Sequence, residues 1–177
     1  MEYPYAPYYC EENIYRLAEL RFGKGGVVFI SNPHRTVAVG AQRVGRGPFR
    51  VVVWDYHVIY VESGWVYDPD SLLDLPVPED HYVRAAFPGE VVDPGGYLAA
   101  RFACVPAKQY LEHFSSDRGH MRNPDGTYKA EPPPWPPVYR EEEGNNLFDL
   151  MDGRHRSVIY YGPSFAGWEA GGQAQRL

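Results

Sequence analysis

One short stretch of the sequence places a histidine among aromatic and acidic residues, where acid–base chemistry is feasible. Residues 51–61 run Val-Val-Val-Trp-Asp-Tyr-His-Val-Ile-Tyr-Val. Because they are β-branched or aromatic almost throughout, we expect one buried strand that carries His57. Residues 65–67 resume the pattern after Glu62-Ser63-Gly64, so the two runs predict a hairpin. The chemistry at His57 then depends on which carboxylate lies beside it.

The register of the hairpin decides which carboxylate can reach His57. A turn centred on Ser63-Gly64 places His57 opposite Asp70, with Asp68 diagonal to it on the same face at roughly 7–8 Å between backbones. A three-residue loop would shift the register by one and send Asp68 to the other face. Asp55 lies two residues before His57 and would share its face. The spacing leaves both later carboxylates open as partners, and a core histidine bonded to a carbonyl is the structural alternative.

Cys10 is the candidate nucleophile. It precedes residues 11–20, whose acidic first turn and apolar stripe predict a helix. Unpaired N–H groups and the positive dipole end at a helix N-terminus stabilise a thiolate, and the same amides can bind an oxyanion. We therefore expect an ionised Cys10 of low pKa, with a buried structural cysteine as the alternative. Cys104 lies in the strand-like residues 98–105 and is expected to pack in the core.

The composition limits the domain count and the kinds of partner. A chain of 177 residues with 44% hydrophobic content predicts one domain, residues 1–177, with a substantial core. The net charge of −6 gives no electrostatic reason to expect nucleic acid or an anionic membrane as partner. Residues 1–9 lack a basic start followed by an apolar segment, so we expect no secretory signal and an intracellular protein. In a reducing compartment the two cysteines should remain thiols.

Other segments predict the elements that must position these residues. Hydrophobic patterning predicts strands at 27–32, 36–39, 98–105 and 157–161, and helices at 79–87, 107–114 and 146–152. The proline-rich segment 131–137 contains Trp135, so we expect it to pack on its own domain, with docking to a partner as the alternative. Residues 168–177 are expected to form a flexible tail. The histidines lack metal-ligand spacing and the glycine-containing loop 45–47 lacks a nucleotide motif, so neither metal nor cofactor is predicted.

Five ordered blocks resemble the protein N-terminal glutamine amidohydrolase family. The resemblance extends from about residue 8 to residue 161 and implies an α+β fold with a papain- or transglutaminase-like cysteine hydrolase core. In that fold an N-terminal helix that carries the nucleophile packs on an antiparallel sheet. The resemblance also implies a triad of Cys10, His57 and Asp68, and so favours Asp68 over Asp70. The blocks are residues 9–14, 28–32, 54–58, 67–68 and 116–121, followed by the proline-rich segment.

The resemblance implies an enzyme that deamidates N-terminal glutamine to glutamate and releases ammonia. A Cys10 thiolate would attack the carboxamide carbon to form a thioester, and His57 would protonate the departing ammonia and then activate water. Asp68 would orient the imidazole and stabilise its charged form. Asp55 is our candidate for pairing with the α-ammonium group of the substrate, because it shares the face of His57 and can pair with a cation. The alternative is that Asp55 caps a turn or braces the loop at 116–121.

The implied partners are proteins or peptides with a free N-terminal glutamine, within a degradation pathway that recognises N-terminal residues. We expect a monomer that is located in the cytoplasm or the nucleus. Two other classes of function use the same residues. One is a different thiol hydrolase or acyltransferase, such as a peptidase or a transglutaminase-like enzyme. The other is a non-catalytic module that binds N-termini or presents the proline-rich segment.

Overall fold

The computed structural model describes residues 3–88, 96–162 and 164–165, and six consecutive short strands separate its first helix from its second. The helices are α1 (Cys10–Leu20), α2 (Glu79–Ala86), α3 (Ala107–His113) and α4 (Leu147–Met151), with a 3₁₀ turn at Gly119–Met121. The strands are β1 (Gly26–Ser31), β2 (Val37–Val39), β3 (Val52–Trp54), β4 (His57–Glu62), β5 (Trp65–Tyr67), β6 (Val77–Pro78), β7 (Arg101–Pro106) and β8 (Tyr160–Gly162).

A six-stranded antiparallel sheet forms the centre of the fold. Its strand order is β6-β5-β4-β1-β7-β8, and β2 pairs with β3 in a separate two-stranded sheet. Every residue of β1 is buried because apolar layers cover both faces of the central sheet. Helix α1 lies on one face, where Ile14 and Leu17 pack with Val58 and Tyr60. The predicted α+β fold, with an N-terminal helix packed on an antiparallel sheet, is confirmed.

The prediction of one continuous strand over residues 51–61 is wrong. The chain leaves the small sheet after Trp54 and enters the central sheet at His57, so the intervening Asp55 belongs to neither ladder. The Asp55 carbonyl accepts a hydrogen bond from Ser31 Oγ at 2.7 Å, and its Oδ1 accepts the N–H of Tyr56 at 3.0 Å. These bonds satisfy the Asp55 carbonyl and the Tyr56 N–H at the point where the chain changes sheet.

The predicted hairpin is confirmed in the register that a two-residue turn gives. Val61 lies opposite Val66, and the turn residues Ser63 and Gly64 have φ of 53° and 77°. Two successive positive φ values characterise the type I′ turn, whose twist matches the flanking strands. The ladder ends at Tyr67, so the chain is no longer strand when it reaches Asp68.

The remaining elements lie near their predicted positions, with shifted boundaries. Helices α2 and α3 occupy the predicted segments, whereas β7 and β8 begin three residues later than expected, at Arg101 and Tyr160. Cys104 is fully buried within β7, as predicted. The expected tail at 168–177 lies outside the described residues. Among the helices of the described ranges, none is long and apolar enough to cross a membrane.

A buried ion pair attaches the loop after α3 to the start of α1. Glu12 is fully buried, and Arg118 donates to its two carboxylate oxygens from Nε at 2.6 Å and Nη2 at 2.7 Å. Trp135 also donates its indole N–H to Glu12 at 2.7 Å, and its carbonyl accepts a bond from Arg118 at 2.9 Å. The proline-rich segment therefore packs on its own domain, as predicted. The pair joins three distant segments of the chain.

We expect Glu12→Gln to lower the free energy of unfolding by about 3–5 kcal/mol, because it leaves the Arg118 guanidinium buried without its counterion. Urea denaturation followed by circular dichroism measures this loss. Glu19→Gln is the matched control on the same helix, since Glu19 forms a solvent-exposed pair with Arg16. The control should change stability by less than about 1 kcal/mol. Equal stability of the two variants would contradict a structural role for the buried pair.

Candidate active site

Cys10 and His57 line the same cavity at the edge of the central sheet. Cys10 is the first residue of α1, and its side chain is 9% exposed. His57 is the first residue of β4, the strand on which α1 packs. The cavity has a volume of about 210 Å³, and Asp55 and Asp70 contribute acidic groups to its wall. Its other lining residues are Tyr8, Trp54, Tyr56, Met121, Lys129 and Ala130.

The His57 imidazole is held by a buried carboxylate. His57 Nε2 lies 2.9 Å from Asp68 Oδ1, so Nε2 carries a proton and Nδ1 is the ring nitrogen left for other chemistry. Burial lowers the pKa of His57, but the negative charge and hydrogen bond of Asp68 raise it above its usual value overall. The register argument left Asp68 and Asp70 open, and the structure gives the hydrogen bond to Asp68.

Three further donors satisfy the Asp68 carboxylate. Its Oδ1 also accepts the backbone N–H of Asp70 at 3.0 Å. Its Oδ2 accepts bonds from Gln42 Nε2 at 3.0 Å and from the Tyr82 hydroxyl at 2.8 Å. Burial raises the pKa of Asp68, but His57 together with the Gln42 and Tyr82 donors lowers it below the usual range. The carboxylate therefore stays ionised beside the imidazole.

An indole ring fixes the plane of the imidazole. The Trp54 ring stacks on His57 with ring centroids 5.8 Å apart and an interplanar angle of 13°. Trp54 Nε1 also donates to Gln42 Oε1 at 3.3 Å. Because the Gln42 oxygen accepts from Trp54, its amide nitrogen is the group that faces Asp68. The imidazole is thus held at its edge by a carboxylate and on its face by an aromatic ring.

The thiol of Cys10 lies in a negative environment, contrary to the low pKa predicted from its helix position. Burial raises the pKa of Cys10 well above the usual value, and the charges of Glu11 and Asp70 raise it further. Cys10 Sγ lies 3.7 Å from Glu11 Oε2, and Glu11 is fully buried. A backbone hydrogen bond from Val58 favours the thiolate but is outweighed. Burial and the neighbouring carboxylates therefore disfavour the thiolate form of Cys10.

Glu11 has its own polar contacts behind the cavity. The Tyr56 hydroxyl donates to Glu11 Oε2 at 2.9 Å, and it lies 3.1 Å from His120 Nε2. His120 Nε2 is 3.4 Å from the second oxygen of Glu11. These contacts hold the carboxylate in place beside the thiol.

The chain is similar to one known protein family and to individual members of it. The sequence pattern of the N-terminal glutamine amidases matches residues 5–168. The chain belongs to this N-terminal glutamine amidase family. A protein N-terminal glutamine amidohydrolase of Drosophila grimshawi is 37% identical, with 83% of this chain and 77% of the relative covered. Relatives of the same name in Drosophila mojavensis and Drosophila melanogaster are 39% and 36% identical over the same shares.

In this member of the N-terminal glutamine amidase family, Asp55 lines the cavity, as the candidate for contacting the substrate should. It does not do so by sharing a strand with His57, as the sequence predicted. The prediction placed it on one strand with His57, whereas the strand is interrupted between them. Asp55 is exposed at the mouth of the cavity, and one of its oxygens accepts the Tyr56 N–H. Its position leaves it accessible to a ligand that enters from solvent.

Sequence reasoning missed Gln42 and Tyr82. Gln42 lies in the loop after β2, and Tyr82 lies on α2, so both reach Asp68 from elements remote in the chain. Neither residue stands in a pattern that sets it apart from other polar or aromatic residues. Their contribution follows only from the tertiary packing.

Three buried donors could in principle hold a metal ion. One ligand atom each of His57, Asp68 and Asp70 lies within 4.8 Å of the others. The His57 and Asp68 atoms already bond each other at 2.9 Å, and Asp68 accepts three more hydrogen bonds. The donor set therefore fits an imidazole–carboxylate pair, and the absence of a metal cofactor stays a prediction.

We expect Glu11→Gln to lower the pKa of Cys10, because it removes a negative charge that disfavours the thiolate. The rate of alkylation by iodoacetamide should then rise at lower pH than in wild type. Mass spectrometry of the Cys10 peptide across a pH series measures this shift, with Cys104 as the internal buried control. Glu19→Gln, at the exposed end of the same helix, should leave the profile in place. An unshifted profile in Glu11→Gln would contradict the electrostatic role of Glu11.

Proposed function

We propose that this chain hydrolyses the side-chain carboxamide of an N-terminal glutamine in proteins or peptides, producing glutamate and ammonia. The observation that carries the proposal is the thiol of Cys10 in one cavity with the His57–Asp68 pair, in a member of the N-terminal glutamine amidase family. The named relatives are amidohydrolases that act on this group. The proposed triad is Cys10, His57 and Asp68.

The first half of the proposed reaction breaks the carbon–nitrogen bond. His57 takes the thiol proton as Cys10 Sγ attacks the carboxamide carbon, and a tetrahedral intermediate forms. The backbone N–H of Cys10, at the N-terminus of α1, stabilises the oxyanion. His57 then gives its proton to the nitrogen as the carbon–nitrogen bond breaks. Ammonia leaves, and the substrate carbonyl remains bound to Sγ as a thioester.

The second half of the reaction restores the free enzyme. His57 takes a proton from water as the water oxygen attacks the thioester carbon. When the intermediate collapses, the carbon–sulfur bond breaks and His57 returns the proton to the leaving sulfur. The product is an N-terminal glutamate, and Cys10 is again a thiol. Asp68 stabilises the imidazolium that forms in each half, consistent with the raised pKa of His57.

Three finer proposals accompany the proposed triad, and they concern the type of core, the extent of the domain and the oligomeric state. A cysteine at the start of an N-terminal helix, beside a histidine that begins a strand of the antiparallel sheet and an aspartate that directly follows another strand, supports a papain- or transglutaminase-like core. We propose that residues 1–177 act as one catalytic domain and as a monomer. A location in the cytoplasm or the nucleus stays a prediction from the sequence.

The deciding experiment measures ammonia release from matched peptides. We expect release from a peptide that begins with glutamine, and none above background from peptides with N-terminal asparagine, internal glutamine or N-acetylated glutamine. Cys10→Ala should abolish release, because no sulfur nucleophile remains. Cys104→Ala is the matched control, since its thiol is buried in β7 away from the cavity.

Two outcomes would contradict the proposal. If wild type releases no ammonia from any of these peptides while Cys10 is alkylated, the substrate is wrong and another thiol hydrolase or acyltransferase activity should be tested. If no ammonia is released and Cys10 also stays unalkylated at the high end of a pH series, where a raised pKa no longer keeps the thiol protonated, a non-catalytic binding module is the better interpretation. Chelation with EDTA should leave the rate unchanged, because the proposed chemistry uses no metal.

Asp55 is proposed to attract the substrate α-ammonium group from the mouth of the cavity. We expect Asp55→Asn to raise KM several-fold at low salt, because one exposed negative charge is lost. The difference from wild type should shrink as ionic strength rises, since at 0.1 M salt the attraction between exposed charges more than about 10 Å apart is largely screened. Steady-state kinetics at two salt concentrations tests this. Equal KM for both proteins at low salt would exclude the role.

A further inference from the structure

Asp70 is a buried carboxylate that the proposed mechanism does not use. Its side chain is 4% exposed and lines the cavity with Cys10 and His57. One of its oxygens lies within 4.8 Å of ligand atoms of both His57 and Asp68. Only its backbone N–H takes part in the histidine–carboxylate pair. Its carboxylate therefore faces the place where the substrate must bind.

Asp70 has a hydrogen-bond donor but no counterion. The Tyr5 hydroxyl donates to its Oδ1 at 2.9 Å. Within the described ranges, none of the ion pairs involves Asp70. The nearby Arg43 donates Nε to the Pro69 carbonyl at 2.8 Å and packs over the Tyr5 ring. A buried carboxylate without a cation carries a desolvation penalty that a cationic ligand would relieve.

We propose that Asp70 directly binds the α-ammonium group of the substrate. The inference rests on the proposed function and names the residue that distinguishes a chain terminus from an internal glutamine. Four covalent bonds separate the α-nitrogen of glutamine from its carboxamide carbon, so one residue can span from Asp70 to Cys10 within a single small cavity. A primary ammonium group is compact and has three N–H donors, which suits a carboxylate already fixed by one hydroxyl donor.

Asp70 and Asp55 have different parts in this proposal. Asp55 is exposed at the mouth and acts on an approaching cation through a field that salt screens. Asp70 is buried and contacts the cation after water has been displaced, where screening is weak. Burial raises the pKa of Asp70 overall, because the charges of His57 and Arg43 and the Tyr5 hydrogen bond only partly offset burial and the charge of Asp68.

Binding of the ammonium group also affects the nucleophile. After burial and the charge of Glu11, the charge of Asp70 is a further cause that raises the pKa of Cys10. A substrate cation placed against Asp70 offsets that charge and lowers the free energy of the thiolate that forms during attack. A substrate without the α-amine should therefore lose kcat as well as affinity. Selection of the terminus and activation of the thiol are coupled through one carboxylate.

The test compares a glutamine-initiated peptide with the same peptide whose first residue lacks the α-amino group, a 4-carbamoylbutanoyl peptide. Wild type should prefer the amine-bearing peptide in kcat/KM. We expect Asp70→Asn to reduce that preference by at least about 30-fold, the lower end for truncating one partner of a buried charge pair. Asparagine keeps the shape and can still accept the Tyr5 bond. Asp74→Asn, an exposed aspartate in the same segment, is the matched control.

Each outcome separates this inference from the proposed function. If wild type hydrolyses neither peptide, the proposed function and the role of Asp70 both fall. If wild type is active and Asp70→Asn lowers both rates equally, Asp70 acts only by supporting Asp68, and the inference is overturned. If the Asp70→Asn variant does not fold, the same comparison is made with Tyr5→Phe. Tyr5 is 38% exposed, and this substitution removes only the hydroxyl that donates to Asp70 Oδ1. An unchanged preference in Tyr5→Phe would then overturn the inference.

Discussion

The buried charge of Asp68 is the constraint on which the site depends. A carboxylate without solvent needs a donor for each lone pair, and these donors come from separate parts of the chain. His57 begins β4, Gln42 follows β2, and Tyr82 lies on α2. If any of these elements moved, a polar group would be left unpaired at a cost of about 1–3 kcal/mol. The packing of these elements and the orientation of the imidazole therefore depend on each other.

The negative charges around Cys10 have two effects. They disfavour a thiolate before the substrate binds, and they favour binding of a cationic substrate. Burial, Glu11 and Asp70 raise the pKa of the thiol, which disfavours the nucleophilic thiolate. The same carboxylates create a negative potential that suits an ammonium ion. In the proposed reaction the substrate brings the compensating charge, and His57 needs to remove the thiol proton only when the substrate is bound. Low reactivity in the free state and selection of a free N-terminus then have a common electrostatic origin.

Local features of the site could be predicted from sequence, and features set by distant contacts could not. The hairpin register follows from the turn at Ser63–Gly64, because its alternation and turn chemistry lie within a few residues. The break at Asp55 depends on a hydroxyl of Ser31 on another strand, and β-branched residues continue on both sides of it. The raised pKa of Cys10 likewise depends on its burial and on the position of the Glu11 carboxylate, neither of which the helix dipole argument includes.

Three consecutive residues of α1 perform three tasks because a helix turns by about 100° per residue. Cys10 faces the cavity, Glu11 contacts Tyr56 behind it, and Glu12 turns toward Arg118. Through Arg118 and Trp135, Glu12 fixes the loop whose residues Met121, Lys129 and Ala130 line the cavity opposite the sheet. The first turn of α1 therefore positions the nucleophile, the charge beside it and the loop that lines the cavity. A shift of that turn would alter all three together, so the first turn of α1 has little freedom to change.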